Sequence, residues 1–196
     1  PPPERSRAWV STTRAGPRLR HNVPSSSLRS PSAMPLEIER KFLIAHDGWR
    51  AEVSRARPIA QGYLVATGGK ASIRVRVSGE DARLNIKAAQ VGAARAEYDY
   101  PVPLEEAREM LASLTVGRIE KTRHIVERDG LVWEIDEFHH DNEGLVVAEV
   151  ELSTVDQAIP RPDWLGPEVT AQARYYNHQL SLRPFARWSE AERRGD

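Results

Sequence analysis

The residues with chemistry to offer come in alternation. In "PLEIERKFLI" (Pro35 to Ile44), Glu37, Glu39 and Lys41 stand two apart. Successive side chains of an extended strand point to opposite faces, so two carboxylates and an ammonium share one side. The spacing returns along the chain. Arg74 and Arg76 alternate with Ile73, Val75 and Val77, and Arg83, Asn85 and Lys87 with Leu84 and Ile86. Glu97 and Asp99 alternate with Tyr98 and Tyr100. Lys121 and Arg123 share a face in "EKTRHIV", Glu134 and Asp136 in "VWEIDEF", and Glu149 and Glu151 in "VVAEVEL". A sheet face turned to solvent would be polar too, but it usually mixes in Ser, Thr and Gln. These rows carry full charges, and the signs segregate. Like charges at such spacing repel unless opposite charge lies between them.

Turned inward together, these rows would line a channel of acids and bases. Burying many unpaired ions is costly, so the interior must be wet, internally paired or filled by a polyvalent ligand. A polyanion beside divalent cations satisfies both signs. Lys and Arg grip phosphate oxygens, Arg in bidentate fashion. Clustered carboxylates suit magnesium or manganese with several waters retained. Cysteine is absent, so disulfides and thiolate ligands are excluded and any metal must sit on oxygen or imidazole. The ligand implied is a short phosphate chain.

Positioning such rows takes a sheet. Strand-like runs span Leu36–Ile44, Ile59–Ala66, Ser72–Val77, Ala82–Ala88, Arg95–Val102, Gly117–Glu127, Leu131–Phe138 and Leu145–Leu152. "SGED" and "RDG" read as compact hairpin connections. "PLEEAREMLASL" carries Leu104, Ala107, Met110, Leu111 and Leu114 on one stripe, with acids in its first turn, which predicts a helix. "ARYYNHQLSL" is a weaker helical candidate, and Asp47–Arg57 a short one. The fold class is mainly β (α+β): eight antiparallel strands, closed or nearly closed, with a few helices covering the apolar outer faces.

The length of 196 residues allows one sizeable domain. A net charge of zero hides an asymmetry. Residues 1–34 hold six Arg, no Lys and one acid; the remainder has 22 basic and 27 acidic residues. The Pro/Ser/Arg-rich segment 1–34 reads as disordered. It is a transit peptide, a mobile tail, or upstream sequence from a start placed before Met34. Residues 35–188 form the folded domain and 189–196 a charged tail. No apolar run approaches the ~18 residues of a membrane span, and the expected setting is cytoplasmic. "ATGGKAS" fails as a phosphate loop, since Leu64 stands where its first Gly should be. His139 and His140 in "FHHDNEG" read as exposed turn residues. Nucleic acid is not an expected partner, because the folded part is net acidic and its bases interleave with carboxylates.

Glu37-Ile-Glu39-Arg-Lys41 also matches a Glu-x-Glu-x-Lys signature. With "QGYL", "RVRV", "LNIK", "EYDYP", "EKTR", "WEIDEF", "GLVVAEVEL" and "RYYN" in order, the chain resembles the CYTH domain, the triphosphate tunnel metalloenzymes, over about residues 35–185. It is most similar to small bacterial members that hydrolyse inorganic triphosphate. The resemblance implies a closed eight-stranded antiparallel tunnel and magnesium- or manganese-dependent hydrolysis, water attacking a terminal phosphorus in line. It implies metal ligands at Glu37, Glu39, Glu149 and Glu151, with Glu97 and Asp136 holding the metals or their waters. Phosphate would be bound by Lys41, Arg74, Arg76, Lys87 and Arg123, and by Lys121 on parity. Tyr63 would stand at a mouth, and Arg174, Arg183 or Arg187 could close the site. The substrate implied is inorganic triphosphate, with thiamine triphosphate (stacked on Trp49, Trp133 or Trp164) or a nucleoside triphosphate in a cyclase as alternatives. A homodimer is an open assembly state. A non-catalytic polyphosphate-binding module would keep the bases without needing the acids, and a lipocalin-like barrel would turn the apolar faces inward.

Overall fold

Alternation of charged and apolar residues makes most of this chain strand, and strand pairing decides where each run begins. The computed structural model describes residues 38–65, 70–88 and 97–194, without the side chain of Glu97. Glu37 and residues 66–69 of "ATGGKAS" lie outside the described residues. In chain order the strands are β1 (Ile38–Ile44), β2 (Val53–Tyr63), β3 (Ala71–Ser78), β4 (Asp81–Ala88), β5 (Glu97–Pro101), β6 (Gly117–Arg128), β7 (Leu131–Phe138), β8 (Val146–Leu152) and β9 (Leu165–Glu168). The helices are α1 (Leu104–Ser113), α2 (Asn177–Leu182) and α3 (Glu190–Arg193), the last within the charged tail.

One sheet runs β5-β4-β3-β2-β6-β7-β8-β1-β9, with antiparallel pairing at each step. Eight strands match those expected. The ninth, β9, adds to the free edge of β1 with a register shift between Phe42 and Ile44. It is short and contains Pro167, so it carries no strand signal of its own. Among the described residues no ladder joins β5 to β9, so the sheet is not closed by hydrogen bonds as the tunnel expectation required. It is nevertheless strongly curled. Tyr63 on β2 feels the charges of Lys41 on β1 and Glu149 on β8, although β6 and β7 separate β2 from β8.

The short helix expected over Asp47–Arg57 ends early. Only Asp47–Glu52 is helical, as a 3-10 turn capped by the His46 side chain on the Gly48 N–H at 3.1 Å. From Val53 the chain pairs with β6 as far as Tyr63. Helix α1 has Glu105 and Glu106 in its first turn, where the helix dipole favours acids. It buries Ala107 and Leu111 against Val75 and Ala82. No helix among the described residues is long and apolar enough to cross a membrane.

Two apolar layers hold the charged face in place. On the outer face, Phe42, Trp49, Trp133, Ile135, Val150 and Trp164 form one cluster. Trp133 meets Trp164 edge-on at 5.5 Å between centroids, and the Trp164 Nε1–H donates to Glu52 at 3.0 Å. Side chains of this size each contribute roughly 1.5–3 kcal/mol on burial. The second layer departs from the expected all-charged interior. Ile119 and Phe138 share the inner face with Lys121, and Val147 lies opposite Asp136 in the ladder. They bury Leu180 of α2 with Tyr175 and Trp188. Close approach here needs a bare backbone: a Cβ at Gly117 would lie 2.7 Å from the Ser181 carbonyl. One end of the inner face is therefore an apolar seat for the C-terminal segment.

Candidate active site

The ladders bring the charged rows onto one face. Lys41 lies opposite Glu149 and Glu39 opposite Glu151. Arg123 lies opposite Asp136 and Arg57, and Arg76 opposite Gln61 and Arg83. Signs separate across the curl. Glu39, Glu134, Glu149 and Glu151 collect on β1, β7 and β8, and Arg57, Arg74, Arg76, Lys121 and Arg123 on β2, β3 and β6.

In the acidic half, the Lys41 Nζ lies 2.5 Å from Glu149 and 3.1 Å from Glu39. Burial acts to lower its pKa, but Glu149 and Glu39 outweigh that and raise it. Glu39, Val132, Glu134, Glu149, Val150 and Glu151 line a cavity of about 120 Å³. This donor set consists of carboxylate oxygens, which suits a hard divalent cation. Among the described residues no three carboxylates or imidazoles already stand at metal-holding distance. Glu39 and Glu149 are held by Lys41, and Glu134 by Arg123.

Arg123 joins the halves. Its Nε and Nη2 each donate to Asp136 at 2.7 Å, and its Nη2 also to Glu149 at 3.1 Å. Lys121 donates to Asp136 as well and reaches the Asn177 side chain of α2 at 3.4 Å. Asp136 is 0% exposed. Burial would raise its pKa, but Lys121 and Arg123 overcome this and bring it down to about 2.

Among the described residues the cationic half lacks such partners: neither Arg57 nor Arg76 has a carboxylate at ion-pair distance, and the Arg74 Nε is buried with no hydrogen-bond partner. The Arg76 pKa is lowered, first by burial and then by Arg74, with Arg123 and Arg57 adding to it and Asp99 opposing. Burial raises the pKa of the Tyr63 phenol against the opposing charge of Arg74, and the ring meets His178 edge-on at 4.7 Å. The Lys41 ammonium sits 5.1 Å from the Tyr176 ring centroid. The first residues of the C-terminal segment thus touch β1, β2 and β6.

Of the residues expected from sequence, Glu39, Lys41, Arg74, Arg76, Lys121, Arg123, Asp136, Glu149 and Glu151 share this face. Lys87 lies on it at the β4 position opposite Glu97, whose side chain is outside the description, as is Glu37. Arg183 pairs with Glu192 at 2.6 Å on the surface, Arg187 is exposed, and Arg174 packs over Tyr175 and Trp188. His139 meets Thr122 at 2.8 Å and His140 meets Glu120 at 3.0 Å. Glu134 and Arg57 were missing from the sequence list. Glu134 has the parity of Asp136 and could have been included on that signal. Arg57 was hidden by the helical reading of its segment.

A nine-stranded curled sheet with opposed rows of carboxylates and guanidiniums defines the class, and the chain belongs to the CYTH domain family, whose model matches residues 35–181. An inorganic triphosphatase of Acetivibrio thermocellus is 39% identical over 158 residues, spanning 80% of this chain and 100% of that protein. An inorganic triphosphatase of Nitrosomonas europaea is 38% identical over 152 residues, spanning 74% and 97%. The crystal structure of an inorganic triphosphatase superposes with a TM-score of 0.60 at 34% identity, covering 74% of this chain and 94% of that one.

Proposed function

We propose that this protein hydrolyses inorganic triphosphate to pyrophosphate and phosphate with the help of divalent cations, magnesium or manganese. The observation that carries the reading is the excess of positive charge at Arg57, Arg74 and Arg76 beside a cavity lined by four carboxylates. A triphosphate supplies the missing anion. The arginines and Arg123 bind its oxygens along the chain and stabilise charge that develops as the bridging P–O bond breaks. Glu39, Glu134, Glu149 and Glu151 are the groups that would hold a cation. When bound, it would neutralise phosphate oxygens and acidify a water. A carboxylate of this set orients that water and accepts its proton as oxygen adds in line to a terminal phosphorus; pyrophosphate then departs.

The two named relatives support this substrate. The thiamine alternative loses its stacking candidates, because Trp49, Trp133 and Trp164 are each buried in the outer core at 1% exposure or less. Phosphate release from tripolyphosphate, ATP and thiamine triphosphate, with magnesium, manganese or a chelator, tests the proposal. Tripolyphosphate should be turned over fastest and chelation should abolish turnover. No release from tripolyphosphate, or release indifferent to chelator, would overturn it.

A further inference from the structure

We propose that Asp136 is a positioning residue for the phosphate-binding cations and not a metal ligand. The inference rests on the reading of the site as a triphosphate site. Its basis is the way the two Asp136 oxygens are occupied. Oδ1 accepts from the Arg123 Nε and Oδ2 from the Arg123 Nη2, each at 2.7 Å. Oδ2 also accepts from the Lys121 ammonium. The carboxylate is 0% exposed and does not line the cavity formed by Glu39, Glu134, Glu149 and Glu151. A metal would have to displace a bidentate guanidinium and a buried ammonium to reach it, leaving Lys121 without its closest anion and Arg123 without its bidentate partner. Removing one partner of a buried pair is strongly unfavourable.

The same contacts give Asp136 a different task. A bidentate carboxylate fixes the plane of a guanidinium, so Asp136 sets which Arg123 N–H groups remain for other acceptors. Its Nη1 goes to Glu134 and its Nη2 is shared with Glu149. The Lys121 ammonium is likewise held between Asp136 and Asn177. Asp136 thereby anchors the two cations of β6 that face Arg57 and the acid cavity. Sequence position, two residues from Glu134, does not separate a cavity carboxylate from this anchoring one; burial and the two cations held against Asp136 do.

Calorimetric binding of two separate probes tests the assignment: manganese alone, and tripolyphosphate with chelator present. Asp136→Asn preserves shape and removes the charge. We expect tripolyphosphate binding to weaken at least about tenfold and manganese binding to change less than about twofold, with KM rising in turnover assays. A loss of manganese affinity about tenfold or more, or unchanged tripolyphosphate binding, would overturn the proposal. Should Asp136→Asn fail to fold, Lys121→Gln decides. It frees part of Asp136, so a metal-ligand role predicts stronger manganese binding, whereas the positioning role predicts no change. Wild-type turnover of tripolyphosphate is scored apart from these constants, so failure of the functional reading is distinguishable from failure of this assignment.

Discussion

On β1 and β8 the carboxylates of Glu39 and Glu149 share the Lys41 ammonium between them; on β2 and β3 the guanidiniums of Arg57 and Arg76 have no such partner among the described residues. The two halves of the inner face have comparable charge density and opposite accounts of it. The acidic half is largely compensated from within, by Lys41 and Arg123. Among the described residues the cationic half keeps an excess, felt by Arg76 as a lowered pKa from burial and from Arg74, Arg123 and Arg57, with Asp99 opposing. The difference teaches which ligand each half awaits. Excess positive charge is relieved by an anion, and a compensated carboxylate cluster exchanges its internal cation for a metal.

The strongest way to break this comparison is to remove one group from each half. Arg76→Ala should lower kcat/KM for tripolyphosphate by about 10²–10³-fold, the range for deleting one aimed donor, with the effect seen in substrate binding. Glu149→Gln should lose a similar factor through the metal concentration needed for half activation. Steady-state assays at varied substrate and varied metal read both. If the two variants move the same constant, the halves are not specialised.

A smaller effect probes the bridge between them. The Asp136 pKa is brought from 3.8 to about 2 in the folded protein. A depressed carboxylate pKa adds stability that is complete above the unfolded value and is lost as pH falls through the folded one. This group should therefore contribute roughly 2 kcal/mol above pH ~5 that fades between pH ~4 and ~2. Urea unfolding across that range should fall more steeply for wild type than for Asp136→Asn. Equal slopes would remove Asp136 from the ion network.

Arg76→Lys sharpens the comparison further. It keeps the charge and loses the planar fork, so about tenfold should be lost where Arg76→Ala loses more. A variant as active as wild type would show that charge alone suffices in the cationic half. Smallest of all, Arg183→Ala breaks an exposed pair with Glu192 away from the inner face. Turnover should stay within about twofold of wild type. A larger loss measured under the same conditions would tie the C-terminal segment to the site through that contact.

Much of the site was legible because its signal is local. Period-two alternation sets Glu39 beside Lys41, Arg74 beside Arg76, Lys121 beside Arg123 and Glu149 beside Glu151 within each strand with no tertiary information. Arg57 escaped because its neighbours suggested a helix, whereas pairing with β6 from Val53 to Tyr63 makes the segment a strand. The strand β9 escaped because Pro167 and a short length argue against one. The apolar end of the inner face escaped for another reason. Ile119, Phe138 and Val147 alternate as correctly as the charged residues do, and only the packing of Leu180, Tyr175 and Trp188 shows that they cover this end.

Parity is a property of the chain itself: an extended backbone sends neighbours to opposite sides, so the order of residues alone decided which side chains within each strand share a side and that many of those rows are ionic. Folding decided which ions meet. Strand order put Lys41 against Glu149, the β6–β7 ladder set Arg123 against Asp136, and the pairing of β2 with β3 and β6 left Arg57, Arg74 and Arg76 together. Charges attract according to distance, and distances between strands far apart in sequence are set only once the sheet has assembled.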